Sequence, residues 1–175
     1  MFRDRRDSGR QLGERLSSYA REEAVVLALP RGGVVLGHEI AQALGLPLGI
    51  VVTRKIGHPQ NPEYAVCAID ESGELLCNDA EARSIDVAWL REEGKRQQAE
   101  AQRRSKVYRQ GMLPTAVRGK TVIITDDGIA TGLTMRLAVR VVRAQKPKRI
   151  IVAVPVAPLD VVALAPKVLP SIPEH

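Results

Sequence analysis

The sequence predicts an α/β fold with a doubly wound, mostly parallel sheet flanked by helices. Apolar, β-branched runs alternate along the chain with segments of helical periodicity, which is the order expected of parallel strands joined by crossover connections. Hydrophobic residues make up 45% of the chain and aromatics only 3%, so the core must consist mainly of Val, Leu, Ile and Ala, as in buried parallel strands. A length of 175 residues fits one domain, and we expect a single domain over residues 1–175.

Each element is predicted from its periodicity and from the turn residues at its ends. Leu12 and Leu16, spaced i and i+4, indicate the first helix, and the polar composition of the longest helix indicates an exposed face. In chain order the predicted elements are a helix over Ser8–Tyr19, a strand over Ala24–Leu29, a helix ending at Gly45, a strand over Leu48–Thr53, a loop over 54–64 (RKIGHPQNPEY), a hairpin turning at Asp70–Gly73, a long helix over Asp86–Arg109, a strand TVIIT, a helix GLTMRLAVRVVRA and a strand RIIVAVPV.

The composition argues against a secreted, membrane-spanning or nucleic-acid-binding protein. The N-terminus MFRDRRDSGR lacks the apolar core of a signal peptide, and no apolar run approaches the roughly 20 residues that span a bilayer. Cys67 and Cys77 have neither metal-ligand spacing nor a disulfide-rich context, which favours a reducing cytoplasm. The net charge of +6 admits polyanions as partners, but aromatic residues that could stack on bases are almost absent, so nucleic acid is not the favoured partner.

The stretch VIITDDGIATGLT, residues 122–134, places two acids between a strand and a loop of small and hydroxyl residues. Gly128, Ala130 and Thr131, followed by Gly132 and Thr134, lead into a helix, where backbone N–H groups and the helix dipole favour a phosphate. Asp126 and Asp127 would repel that phosphate unless they point beside it, toward hydroxyl groups or a metal-bound diol. The pattern therefore predicts a ribose 5-phosphate site; a helix N-cap would explain only one of the two acids.

This stretch resembles the signature of the type I phosphoribosyltransferases. The resemblance implies that Asp126 and Asp127 contact the ribose hydroxyls of phosphoribosyl pyrophosphate (PRPP), and that the loop binds the 5-phosphate through the residues Ala130, Thr131, Gly132, Leu133 and Thr134. Leu133 replaces a small residue common in the family, and its side chain can point outward. Ala130 stands where 6-oxopurine members carry an acid, which argues against hypoxanthine or guanine as the substrate.

Two further loops resemble the same family. LPRGG resembles its pyrophosphate loop, with Arg31, Gly32 and Gly33 exposing backbone amides to the diphosphate, and that loop often has a cis non-proline peptide; an ordinary strand-to-helix turn is the alternative for the glycines. TRKIGHP resembles the adenine-type members, which makes Arg54 and Lys55 candidates for the charge of the leaving group; an ordinary surface pair is the alternative. All three loops follow predicted strands, so we expect them at the carboxyl edge of the sheet.

Over residues 2–158 the chain resembles a branch of predicted phosphoribosyltransferases whose acceptor the resemblance does not establish. It implies a small hood region, with a flexible loop and hood insertion at about 55–110 and an atypical, proline-broken tail at about 159–175 that is either truncated or diverged. The loop over 57–63 would close over the site; His58 and Glu63 could contact diphosphate or remain solvated. The 86–109 helix could be a cover, an interface or a solvated surface helix.

The implied reaction transfers the 5-phosphoribosyl group of PRPP to a nitrogen acceptor, of which a nucleobase is one class, with release of pyrophosphate. Mg²⁺ would be bound through PRPP, with Asp126 or Asp127 as its candidate protein ligand, and no residue is assigned as a dedicated metal ligand. The resemblance also implies a homodimer, and the composition places it in the cytoplasm. The rival hypothesis is a catalytically silent, PRPP- or nucleotide-sensing regulator that binds nucleic acid.

Overall fold

The predicted parallel sheet is present in the computed structural model, which describes residues 2–157 and the backbone of residues 168–169. The chain forms two compact units. The first draws on Met1–Val51, Pro114–Ala130 and Val142–His175, and the second on Val52–Leu113 and Thr131–Val141. The predicted atypical tail lies largely outside the described residues.

A five-stranded, all-parallel sheet forms the first unit, in the order β2-β1-β6-β7-β8. The chain passes from β1 to the neighbouring β2 on one side and later enters β6 on the other, so the order reverses between β1 and β6. In doubly wound sheets this switch point is where ligands bind, beyond the carboxyl ends of the strands. Its strands are β1 (Ala24–Ala28), β2 (Leu48–Ile50), β6 (Thr121–Thr125), β7 (Arg149–Ala153) and β8 (Val168–Leu169).

Helices α1 (Arg5–Arg15) and α2 (Gly32–Leu44) contribute to the core on this sheet. Helix α1 begins three residues before its predicted start because Asp4 caps it, accepting a hydrogen bond from the backbone N–H of Asp7, and a 3-10 helix over Ser17–Arg21 follows it. Helix α2 ends as predicted at Gly45, whose φ of 64° is the left-handed conformation that favours glycine. The buried core comprises Leu12, Leu16, Val26, Leu36, Ile40, Ala41, Leu44, Ile123, Ile151 and Ala153.

The predicted loop over 54–64 is wrong, because this segment forms a β-hairpin in the second unit. Strands β3 (Thr53–His58) and β4 (Asn61–Asp70) pair antiparallel, with a two-residue turn between His58 and Asn61. The two prolines misled the prediction: one lies in the turn, and Pro62 lies at the exposed start of a strand, where a missing N–H is tolerated. The predicted flexible loop over 57–63 therefore lies at the end of this hairpin.

Strand β5 (Leu75–Cys77) completes a three-stranded sheet, in the order β3-β4-β5, through the predicted turn at Asp70–Gly73. Cys67 and Cys77 are register partners on β4 and β5 and form a disulfide, with their Cα atoms 4.0 Å apart. Their spacing in the sequence does not indicate this bond, because the strand register is what brings the two residues together. The cysteines therefore do not support the predicted reducing compartment.

The predicted long helix is α4 (Val87–Arg109), preceded by the short α3 (Asp79–Ala82). Helix α4 packs on β3 and β4 through a narrow face of small residues, which includes Gly94 and Ala101, and its remaining faces carry exposed ion pairs such as Arg103–Glu100. This is the arrangement of a surface helix with one docked face. The unit is completed by most of α5 (Leu133–Ala144), whose Leu137 packs against Ala68.

Candidate active site

Two of the predicted site loops begin side by side at the switch point of the sheet. Ala28 and Thr125, the last residues of β1 and β6, are register partners, and the backbone N–H of Leu29 donates to the carbonyl oxygen of Thr125 at 2.9 Å. The segment 30–33 and the segment 126–130 therefore leave the sheet together. Within the first unit, the LPRGG loop and the acidic residues Asp126 and Asp127 are therefore neighbours, as predicted.

The LPRGG loop has the cis peptide that the resemblance implied, between Pro30 and Arg31. Helix α2 begins at Gly32, directly after this cis peptide, so the positive end of the helix dipole lies at the loop. The side chain of Arg31 is exposed and, within the described part of the chain, makes no hydrogen bond or ion pair. It is therefore available to an anion.

Gly32 and Gly33 are required by the close approach of the acidic loop. A Cβ atom at Gly32 would lie 2.9 Å from Oδ1 of Asp127 and closer still to its Oδ2 and Cγ. At Gly33 it would lie 2.7 Å from the carbonyl oxygen of Thr125 and 2.9 Å from the Cα of Asp126. Because real side chains do not tolerate such contacts, the glycines serve to seat the two acids against the first turn of α2, which an ordinary strand-to-helix turn would not require.

The two acids are electrostatically unequal. Burial raises the pKa of Asp126 to about 7, and the negative charge of the adjacent Asp127 also raises it. The backbone N–H of Asp127, which donates to Oδ1 of Asp126 at 2.8 Å, opposes this shift, as does the positive charge of Arg5. Because the Asp126–Asp127 pair is not fully ionised near neutral pH, a ligand that brings a cation or hydrogen-bond donors would stabilise its charged form.

Arg5 contacts the acidic pair, and the sequence analysis missed it. Its Nε and Nη2 both donate to Oδ2 of Asp127, at 3.0 and 2.7 Å. The close packing of α1 on α2 sets its position: a Cβ atom at Gly9 would lie 2.8 Å from Cβ of Glu39, and one at Gly13 equally close to a side chain of α2. Glycines four residues apart in a helix signal such an approach, but nothing in the sequence identifies a contact across 122 residues.

The segment predicted to bind the 5-phosphate runs from Gly128 into α5. Ala130 and Thr131 are exposed, and Gly132, with a φ of 77°, precedes the helix. Small exposed residues ahead of a helix N-terminus are what an anion site requires. Gly128 and Ala130 belong to the first unit, and Thr131 begins a segment of the second.

Leu133 departs from its prediction. Its side chain does not point outward but is buried at 4% exposure, packed with Ala65, Ala68 and Leu137 in the second unit. The apolar side chain gains more from this cluster than from solvent. The neighbouring Thr134 is only partly exposed.

Arg54 and Lys55 lie on β3 in the second unit, not in a loop. Nε of Arg54 donates to Oε1 of Gln97 at 3.0 Å, and burial lowers the pKa of Arg54. Lys55 forms an exposed ion pair with Glu63, 2.9 Å between Nζ and Oε2. His58 accepts a hydrogen bond at Nδ1 from the backbone of the hairpin turn. Arg54 is thus held by α4, whereas the ion pair of Lys55 is weak enough to exchange.

Magnesium fits the carboxylates present. Among residues 2–157, no group of three or more His, Cys, Asp or Glu side chains forms a metal cage. Mg²⁺ ordinarily binds through one or two carboxylates together with substrate phosphates, and Asp126 and Asp127 supply such a pair. Burial and the charge of Asp127 raise the pKa of Asp126, so a bound cation would favour its ionised form. No helix in the described part of the chain is long and apolar enough to cross a membrane.

Comparison with known proteins identifies the family. A model described as "Phosphoribosyl transferase domain" matches residues 6–161. Two curated relatives, from Mycobacterium tuberculosis strains CDC 1551 and H37Rv, are named "Putative phosphoribosyl transferase" and are 42% identical over 165 residues, which is 93% of this chain but 37% of theirs. The chain therefore spans little more than a third of the length of these relatives.

Solved structures agree on the fold. The crystal structure of TT1426 from Thermus thermophilus is 41% identical, with a TM-score of 0.79 over 99% of this chain and 86% of that one. A hypoxanthine phosphoribosyltransferase from Staphylococcus aureus, at 13% identity and a TM-score of 0.57 over 98% of this chain and 74% of that one, shares the fold alone. On the family model and these relatives, the chain belongs to the phosphoribosyl transferase domain family.

Proposed function

We propose that this chain transfers the 5-phosphoribosyl group of PRPP to a nitrogen acceptor and releases pyrophosphate. The observation that carries the proposal is the pair Asp126–Asp127, seated against Gly32 and Gly33 at the switch point of a parallel sheet. Family membership and the exposed loop at Ala130 and Thr131 support it.

In the proposed reaction, the acceptor nitrogen attacks the anomeric carbon of the ribose from the face opposite the leaving group. The new N–C bond forms as the bond from carbon to the pyrophosphate oxygen breaks, and the proton of the acceptor passes to solvent. Asp126 and Asp127 hold the ribose hydroxyls, and the loop from Ala130 to Thr134 holds the 5-phosphate. The side chain of Arg31, which makes no hydrogen bond or ion pair in the described chain, binds the diphosphate in this proposal, and Lys55 is a further candidate for its charge.

Bound Mg²⁺ would offset the charge that develops on the pyrophosphate, and Asp126 or Asp127 is its candidate protein ligand. The acceptor class follows from Ala130, which stands where 6-oxopurine members carry an acid, so we propose an acceptor other than hypoxanthine or guanine.

A cytoplasmic homodimer is part of the same proposal. Light scattering tests the dimer, and fractionation of cells tests the location.

The test is pyrophosphate release from PRPP and Mg²⁺ across a panel of bases and amines, with Asp126→Ala/Asp127→Ala as the control. We expect release that depends on one acceptor and disappears in the double variant. Tight binding of PRPP without turnover on any acceptor would instead indicate a PRPP-sensing regulator, for which salt-dependent binding to RNA or DNA is the discriminating measurement.

A further inference from the structure

We propose that Arg5 is a diphosphate ligand of this site, which holds Asp127 until PRPP arrives and then exchanges the carboxylate for the diphosphate. The inference rests on the proposed function and extends the site to the N-terminal helix. Three features of the first unit carry it: how Arg5 holds Asp127, where the guanidinium lies, and the charge of the site.

The contact between Arg5 and Asp127 is of a kind that can exchange. Both donors, Nε and Nη2, converge on the single oxygen Oδ2, so the ion pair lacks the parallel two-oxygen geometry that makes arginine–carboxylate pairs strong. The side chain of Arg5 is 63% exposed and that of Asp127 is 34% exposed. Exposed pairs of this type contribute little to stability, and the guanidinium keeps further donors for a second anion.

The position of Arg5 places it at the loop proposed for the diphosphate. Oδ2 of Asp127, which accepts from Arg5, is also the atom nearest to a Cβ built on Gly32. The carboxylate of Asp127 therefore lies between the guanidinium of Arg5 and the first turn of α2. Because α1 is capped by Asp4 and packs closely on α2 through Gly9, its first residue is held at this place.

The charge of the site requires a cation here. PRPP brings a highly charged diphosphate toward two carboxylates, and Arg5 is the cation that contacts either carboxylate within residues 2–157. When ribose hydroxyls take Asp127 as their acceptor, Arg5 loses its partner beside a newly bound diphosphate. A guanidinium suits that exchange, since it matches phosphate oxygens with paired donors.

The experiment measures the binding of three ligands by calorimetry, each with Mg²⁺: PRPP, inorganic pyrophosphate and ribose 5-phosphate. The variant is Arg5→Gln, with Arg5→Lys as a charge-preserving variant. The matched control is Arg6→Gln, which removes the same charge from the next residue of α1. The side chain of Arg6 is exposed and makes no hydrogen bond or ion pair in the described part of the chain. Thermal unfolding verifies that all variants fold.

Arg5→Gln is expected to weaken the binding of PRPP and of pyrophosphate by about tenfold or more, which is the usual effect of losing a charge-assisted contact. Ribose 5-phosphate, which lacks the diphosphate, should bind as well as before or up to about fivefold tighter, because Asp127 is freed. Arg5→Lys should lie between the wild type and Arg5→Gln, and Arg6→Gln should change each affinity by less than about twofold.

Equal weakening of all three ligands would overturn the proposal, since Arg5 would then act only by positioning Asp127. The proposal would also be overturned if Arg5→Gln and Arg6→Gln had the same affinities for the three ligands, or if Arg5→Gln bound PRPP more tightly than the wild type. If the wild type binds PRPP and Arg5→Gln binds it equally well, the result contradicts this inference but leaves the proposed function standing. A wild type that binds none of the three ligands contradicts the proposed function, and the inference with it.

Discussion

Replacing Asp126 with Asn should remove a pH dependence of stability that this carboxyl group confers. Its pKa is raised from 3.8 to about 7, mainly by burial, so the folded state holds a proton that the unfolded state releases between these two values. Stability conferred by the protonated group is fully present below about pH 4 and is lost as pH rises through about 7. For this shift, linkage gives a loss of about 2 to 3 kcal/mol between pH 5 and pH 8.

The assay is urea unfolding of the wild type and Asp126→Asn at pH 5, 6, 7 and 8, read as the free energy of unfolding. We expect the difference between the two proteins to move by about 2 to 3 kcal/mol in favour of the variant across this range. Asp79→Asn, which removes a carboxylate from the exposed surface of α3, controls for the change in net charge. If the variant and the wild type keep parallel pH profiles, Asp126 ionises freely in the folded protein, and the burial argument for the site is refuted.

Three further substitutions test the packing. Gly32→Ala should displace the carboxylate of Asp127 and lower PRPP affinity by at least about tenfold in calorimetry, with the fold retained; unchanged affinity would show that the close approach is irrelevant to binding. Gly94→Ala, where a Cβ would meet only a methyl group at 3.9 Å, should raise the free energy of unfolding by about 0.5 to 1 kcal/mol, and a decrease would contradict the helix packing. Arg109→Ala breaks a two-donor ion pair with Glu71, at 2.6 and 2.9 Å, and should cost about 1 to 3 kcal/mol in urea unfolding; a loss below about 0.5 kcal/mol would mean that solvent replaces the pair.

Periodicity and turn chemistry predicted the helices α1 and α2 and four strands of the parallel sheet, but not β8. All five residues of β1 and the three central residues of β6 are apolar and buried, and α2 ends at Gly45 as predicted. The hairpin over β3 and β4 was missed because its glycine and prolines are also loop residues; strand pairing tolerates them here, with Gly57 opposite Ala65 beside a shift in register. Local sequence cannot decide between these two outcomes.

For the site, residues that follow strands were predictable and residues that arrive by tertiary packing were not. Asp126 and Asp127 follow β6 directly, so their place at the sheet edge could be predicted from the strand alone. The pairing of Arg5 with Asp127 depends on the docking of α1, and the retention of Arg54 by Gln97 depends on the docking of α4. Both contacts join residues far apart in the chain, which no local pattern encodes.

The most direct test of the account is the affinity of the wild type for PRPP with Mg²⁺, compared with that of Asp126→Asn/Asp127→Asn. The account predicts saturable binding by the wild type and a loss of at least about a hundredfold in the double variant, since both ribose contacts lose their charge while the side chains keep their size. Equal affinity in the two proteins, or no binding by the folded wild type, would contradict the claim that this pair of acids holds a phosphoribosyl group.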